Sequence, residues 1–197
     1  MKRLIATCGI YLVFFLPAAF TVESPLNISI PTALNQIFFF NLPIIIIVFL
    51  SPPAVKRFDG LLCWLALFGL ILLAFIIPSG TAPRITMHKD IYTRICAALS
   101  CIAAGYAEEG YFRYLLLKAF NKNKNLRPHV QIVLSAALFA LCHRYGGASA
   151  MGYAFVAGCF LAILALYRHA FHELALAHGL YNILVLVYAT MDMHSFS

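Results

Sequence analysis

The chain has 197 residues and a formal net charge of +7, yet only 11% of it is Asp, Glu, Lys or Arg against 63% hydrophobic. A soluble domain averages about 45–50% apolar and about 25% charged residues, so this chain has too few charges to cover a water-facing surface. With a mean hydropathy of +0.89, the composition excludes a soluble enzyme, a disordered chain and a coiled-coil rod; it leaves an all-α, polytopic membrane helical bundle, a single domain over 1–197.

The first apolar run, Leu4–Phe20, follows Lys2 and Arg3. Basic residues, an apolar stretch and Ala18-Ala19 fit a cleaved signal peptide; the many runs that follow favour an uncleaved signal-anchor. Further runs lie at Leu34–Leu50, Leu61–Ile77, Ile91–Phe120, Val130–Cys142, Ala150–Tyr167 and Leu174–Thr190, which predicts seven transmembrane helices. Pro52-Pro53, Pro78-Ser79-Gly80 and Gly146-Gly147 separate runs, because neither residue type continues a helix cheaply. Pro17 and Pro43 fall inside runs and are expected to kink them. Cys8, Cys63, Cys96, Cys101, Cys142 and Cys159 all sit in apolar surroundings without a Cys-x-x-Cys pair. They read as small core residues rather than disulfide partners or metal ligands.

Basic residues set the orientation. Lys2, Arg3, Lys56, Arg57, Lys118, Lys122, Lys124, Arg127 and Arg168 fall on one side of a seven-span plan, and Arg84, Lys89 and Arg144 on the other. The N-terminus is therefore expected in the cytoplasm and the C-terminus outside, with Asn121–Asn125 as the clearest cytoplasmic loop. The same rule accounts for the net charge. No aromatic-plus-basic recognition pattern is present, so the bilayer and not nucleic acid is the expected partner.

An ionisable residue inside a span is costly and marks a functional site by default. Glu108, Glu109 and Arg113 lie in E-E-G-Y-F-R within the fourth run. Glu109 and Arg113 are spaced i, i+4 and can pair, while Glu108 lies about 100° round the helix and is expected to point elsewhere, open for chemistry. The structural alternative is a buried ion pair beside a protonated Glu108. His143 ends F-A-L-C-H, with Phe139 one turn earlier; it reads as a catalyst or as an interfacial residue. His178 and Asn182, in H-G-L-Y-N, share a helix face and can aim two donors at one spot, or simply glue two helices. His88, His129, His169, His172, His194 and Glu173 fall at run ends or loops, where interfacial exposure is enough explanation.

Depth brings these groups together. At 1.5 Å rise per residue, Glu108 lies about 15 Å from the end of its span near Lys118, His143 about 22 Å from Pro128, and His178 and Asn182 about 12 and 18 Å from Ala170. All three spans thus place polar groups near the middle of a hydrocarbon layer about 30 Å thick. Mutual satisfaction in one interior cavity is the cheap solution. A carboxylate beside a His in such a pocket can activate a water. A second His with an Asn can hold the oxyanion of a tetrahedral intermediate. Together these parts suit amide hydrolysis within the membrane.

The three segments resemble the motifs of the CPBP (CAAX protease and bacteriocin-processing, Abi-type) intramembrane endopeptidases, E-E-x-x-x-R, F-x-x-x-H and H-x-x-x-N/D, in the same order and on separate spans. The resemblance runs from Glu108 to Asn182, within a motif-bearing core of roughly 90–191; the first ninety residues match no motif of that family. It implies that Glu108 is the general base acting with His143, that Glu109 orients the site and pairs with Arg113, that His178 and Asn182 form the oxyanion hole, and that Phe139 packs the helix bearing His143. It also implies a membrane-embedded or lipid-anchored protein or peptide as substrate, and the compact form looks like that of bacterial inner-membrane relatives. The family has been described both as glutamic and as metal-dependent. No cofactor is expected, although Glu108, His143 and His178 are numerous enough to hold a zinc ion. Two other readings stand beside this one. Gly147-Ala148-Ser149-Ala150 before a span, with His178 downstream, fits a rhomboid-like serine protease but leaves Glu108, Glu109, Arg113 and His143 unexplained. A non-catalytic binding or immunity protein, or a transporter, also uses buried Glu, His and Arg; the sequence has no matched broken helices or inverted repeat of the transporter kind.

Overall fold

The computed structural model describes residues 2–17, 26–50, 58–77, 85–87, 90–122 and 126–190. Each of the seven apolar runs becomes a helical rod. The first joins α1 (Lys2–Ile10) to a π-helical turn, Tyr11–Phe15; the second joins α2 (Ile30–Asn35) through a π turn, Gln36–Asn41, to α3 (Leu42–Phe49). Then come α4 (Gly60–Ile76), α5 (Ile91–Glu109) continuing through a π turn, Gly110–Leu116, into α6 (Leu117–Asn121), α7 (Pro128–Cys142), α8 (Gly147–Arg168) and α9 (Phe171–Thr190). The breaks expected at Pro52-Pro53 and Pro78-Ser79-Gly80, the Ala18-Ala19 step, residues Lys56, Arg57, Arg84, Lys89 and Lys124, and His88 and His194 lie outside the described residues.

Local chemistry fixes the helix starts. Asp59 accepts from the Leu62 amide at 3.1 Å and Asp90 from the Thr93 amide at 2.8 Å, capping α4 and α5. Ser29 and Thr32 exchange side chain-to-backbone hydrogen bonds in a capping box at α2. The expected kinks at Pro17 and Pro43 take the form of π turns. Each proline removes the amide that would bond the carbonyl four residues earlier, Val13 or Phe39, and each of those residues lies within a π turn. The all-helical expectation has one exception: β1 (Leu26–Ile28) and β2 (Ile85–Met87) pair in parallel, Asn27 opposite Thr86. This ribbon sets the second rod beside α5, running in the same direction, so that Val48 meets Gly110 further along.

Two apolar clusters hold the rods. In one, Tyr11 stacks on Tyr111, Phe15 packs against Tyr111 and Phe112, and Phe112 lies edge-on against Phe139 of α7. In the other, Leu62, Leu67 and Leu70 of α4 pack with Leu161 of α8 and Leu174 of α9. The surface is the reverse of a soluble protein's. Phe38, Phe39, Trp64, Phe68, Phe75 and Leu99 are exposed, whereas Asn41, Thr93, Glu109, Arg113, Gln131, Ser135 and His178 are buried. Among the described residues, two helices are long and apolar enough by length and composition to cross a membrane, Ile30–Phe49 and Arg144–Arg168; Ala6–Phe15, Gly60–Ile76 and Pro128–Cys142 are apolar but shorter. Helix length alone therefore supports two of the seven expected spans. All six cysteines are unpaired thiols.

Candidate active site

The site forms where α5, α7 and α9 meet. α5 and α9 approach so closely that a Cβ on Gly105 would lie 2.5 Å from the Ala175 carbonyl oxygen, and one on Gly179 2.9 Å from the Ile102 Cα. Only glycine permits this crossing, one turn before Glu109 on α5 and one residue after His178 on α9. The sequence does carry a signal for it: Ala97, Cys101 and Gly105, and Ala175 and Gly179, are small residues at four-residue spacing. These glycines were absent from the residues singled out above.

The close crossing carries His178 into the carboxylates. Its Nδ1 donates to Glu109 Oε1 at 2.9 Å, and its Nε2 faces Glu108 Oε2 at 3.6 Å. This corrects the expectation that the two glutamates diverge. They start about 100° apart on their helix, but one imidazole entering from α9 spans both. Glu109 is fully buried and also forms an ion pair with Arg113, Nε to Oε2, at 3.1 Å. The Nε–H is not aimed along that line, so the contact is electrostatic rather than a hydrogen bond. The guanidinium lies over the Phe139 ring, 4.5 Å from its centre, which adds a cation–π contact to this buried pair. Glu108 differs from its neighbour: its side chain is 24% exposed, so one carboxylate is sealed in and the other has an opening.

His143 is the C-cap of α7. Its Nδ1 lies 2.9 Å from the Phe139 carbonyl oxygen, which can only accept, so Nδ1 carries the proton and neutral His143 presents Nε2 as an acceptor. Phe139 packs against both imidazoles, with ring centres 4.5 Å from His143 and 5.8 Å from His178. His143 is within electrostatic reach of Glu108 and His178. Tyr145, on the 3₁₀ turn Arg144–Gly146 that follows, stands 6.0 Å from it. Asn182 is half-buried one turn beyond His178 and makes no hydrogen bond among the described residues. The structure thus gathers Glu108, Glu109, Arg113, His143 and His178 about Phe139, and leaves Asn182 on the same face of α9 without a polar contact among the described residues. Among the described residues, no group of three or more His, Cys, Asp or Glu is arranged to hold a metal ion.

Two other sequence readings change. Ser149 is exposed near the start of α8, while both His178 ring nitrogens face glutamates, so no Ser–His pair forms. Glu173, read as interfacial, is buried and accepts from the Asp59 amide at 2.9 Å, tying α9 to the start of α4.

Residues 91–184 match the family model described as "Type II CAAX prenyl endopeptidase Rce1-like". This segment is Rce1-like. It begins with α5 and ends within α9, so it contains Glu108, Glu109, Arg113, Phe139, His143, His178 and Asn182 and leaves out α1 to α4. Over this stretch, just under half of its length, the chain is similar to a CAAX-type protease family. No curated protein and no solved structure matches it significantly.

Proposed function

We propose that the protein is an intramembrane endopeptidase that hydrolyses a peptide bond of a membrane-embedded or lipid-anchored protein or peptide. The observation that carries this reading is the pair of unlike carboxylates about one imidazole: Glu109 sealed against Arg113 and His178, and Glu108 beside the same ring yet partly open. With His178 as imidazolium, Glu108, Glu109, Arg113 and His178 sum to zero charge, the arrangement that burial in lipid favours.

In the proposed reaction, Glu108 and the Nε2 of His143 accept hydrogen bonds from a water, and Glu108 takes its proton as the oxygen adds to the scissile carbonyl carbon. His178 Nε2–H and the Asn182 carboxamide donate to the resulting oxyanion. Glu108 then returns the proton to the amide nitrogen, the C–N bond breaks, and an acid and an amine leave. Glu109 and Arg113 act as positioning residues: Glu109 holds His178 through Nδ1, which fixes where Nε2 points. Tight Glu109–His178 geometry and its partner Arg113 explain why two adjacent glutamates do different work.

The same proposal includes a seven-span arrangement in a bacterial inner membrane with the N-terminus in the cytoplasm. It is supported by seven apolar rods, an outward apolar surface and Lys118, Lys122, Arg127 and Arg168 all falling at rod ends on one side of that plan. The test is turnover in proteoliposomes, read by mass spectrometry on a panel of lipid-anchored and transmembrane peptides. Glu108→Gln, His143→Ala and His178→Ala should each lower cleavage by at least about 10²-fold, the usual worth of a positioned acid–base group, while the proteins elute as the wild type does. Wild-type turnover in all three would end the mechanism.

A further inference from the structure

Beside the first rod, a concavity shares no lining residue with the site above. It is a groove of about 260 Å³ between α1, α3 and α6, with walls that include Ile10, Ile47, Leu115 and Ala119 and with Lys118 and Lys122 at its rim. Leu50, also on its wall, and the neighbouring Phe49 are exposed, so the groove opens on the apolar flank of the bundle. Among the described residues, no carboxylate lines it. Lys118 is held in place: its Nζ donates to the Tyr114 hydroxyl at 2.8 Å and lies 4.6 Å from that ring centre, which leaves two of its three ammonium donors for a ligand. Lys122 lies one turn further, on the same side of the helix.

We infer that this groove binds one anionic phospholipid of the surrounding bilayer, with an acyl chain against Ile10, Ile47 and Leu115 and the phosphodiester between Lys118 and Lys122. An apolar slot beneath two cations, at the end of a helix, matches a lipid whose headgroup is negative overall; a zwitterionic headgroup brings its own cation next to the two lysines and fits less well. A lipid tail attached to a substrate protein would fill the slot but leave both ammonium groups without a counter-charge. The inference rests on membrane immersion and not on proteolysis, so it survives if the chain cuts nothing.

Native mass spectrometry of the whole protein, released from mixed micelles holding equal amounts of phosphatidylglycerol and phosphatidylcholine with identical chains, tests it. The wild type should retain one phosphatidylglycerol in preference to phosphatidylcholine. Lys122→Gln should cut the preference roughly five-fold and Lys118→Gln with Lys122→Gln should erase it, since each surface lysine is worth about that factor toward an anionic lipid. Lys122→Arg should keep it. Leu115→Trp, which fills the slot, should lose both lipids. Arg168→Gln, outside the groove beside Asp59, should change nothing. Equal retention of the two lipids by the wild type, a preference that survives the double lysine change in a protein with unaltered melting, or an equal loss in Arg168→Gln would each overturn the site.

Discussion

Arg113 is the residue with most to lose from any change around it. It is buried, its two terminal nitrogens have no hydrogen-bond partner among the described residues, and its neighbours are Glu109 and the faces of Phe112 and Phe139. Removing one member of such a pair strands the other charge, which costs about 3–5 kcal/mol, whereas replacing both by apolar or neutral groups is often neutral. Arg113→Ala should therefore lower the melting temperature in detergent markedly, and Glu109→Gln combined with Arg113→Met should recover most of the loss. An Arg113→Ala protein as stable as the wild type would show that the ion pair contributes nothing. The i, i+4 spacing made this pair legible in the sequence. The bridging role of His178 was not, because helical phase says where a side chain starts and not what a neighbouring helix brings to it.

At the scale of elements, the α5–α9 crossing decides whether His178 reaches Glu108 and Glu109 at all. A methyl group on Gly105 would meet a carbonyl oxygen of α9, part of a backbone that cannot turn aside as a side chain can. Gly105→Ala should push the helices apart, and a misplacement of about 1 Å can lower a rate about 10²-fold. Turnover should fall well before the protein unfolds. Gly152→Ala, where nothing lies within 4 Å, is the matched control and should behave as the wild type. Equal activity of the two alanine variants would detach the crossing from the site. Small residues at four-residue spacing announced a close packing face, but they could not name its partner helix. The three π turns had weaker signals still: two precede prolines, and the third, Gly110–Leu116, contains none.

The whole molecule turns its apolar side outward. Trp64, the single tryptophan, is 67% exposed on α4 amid Leu61, Leu65 and Phe68. In a bilayer this surface faces acyl chains. Brominated phospholipids should therefore quench the Trp64 fluorescence strongly, and aqueous iodide should hardly do so. The opposite pattern would remove the protein's outer face from lipid and with it the seven-span arrangement. α1 to α4 lie outside the Rce1-like segment, yet they complete its packing: Tyr11 donates to the Leu138 carbonyl of α7 at 3.1 Å, and Tyr111 donates to the Thr7 carbonyl at 2.9 Å.

Composition and order along the chain were enough to give a helical bundle, seven apolar rods and the polar residues that do not belong among them, because hydropathy and helical spacing are local properties that the residues carry wherever they fold. Which of those polar groups touch is a property of surfaces in contact. Two glycines let α9 slide against α5, one imidazole then spans Glu108 and Glu109, and Asn182, one turn along the same helix, gains no polar partner among the described residues. Those outcomes depend on sub-ångström fit between segments some seventy residues apart in sequence, such as Glu109 and His178, and only the packed tertiary structure decides them.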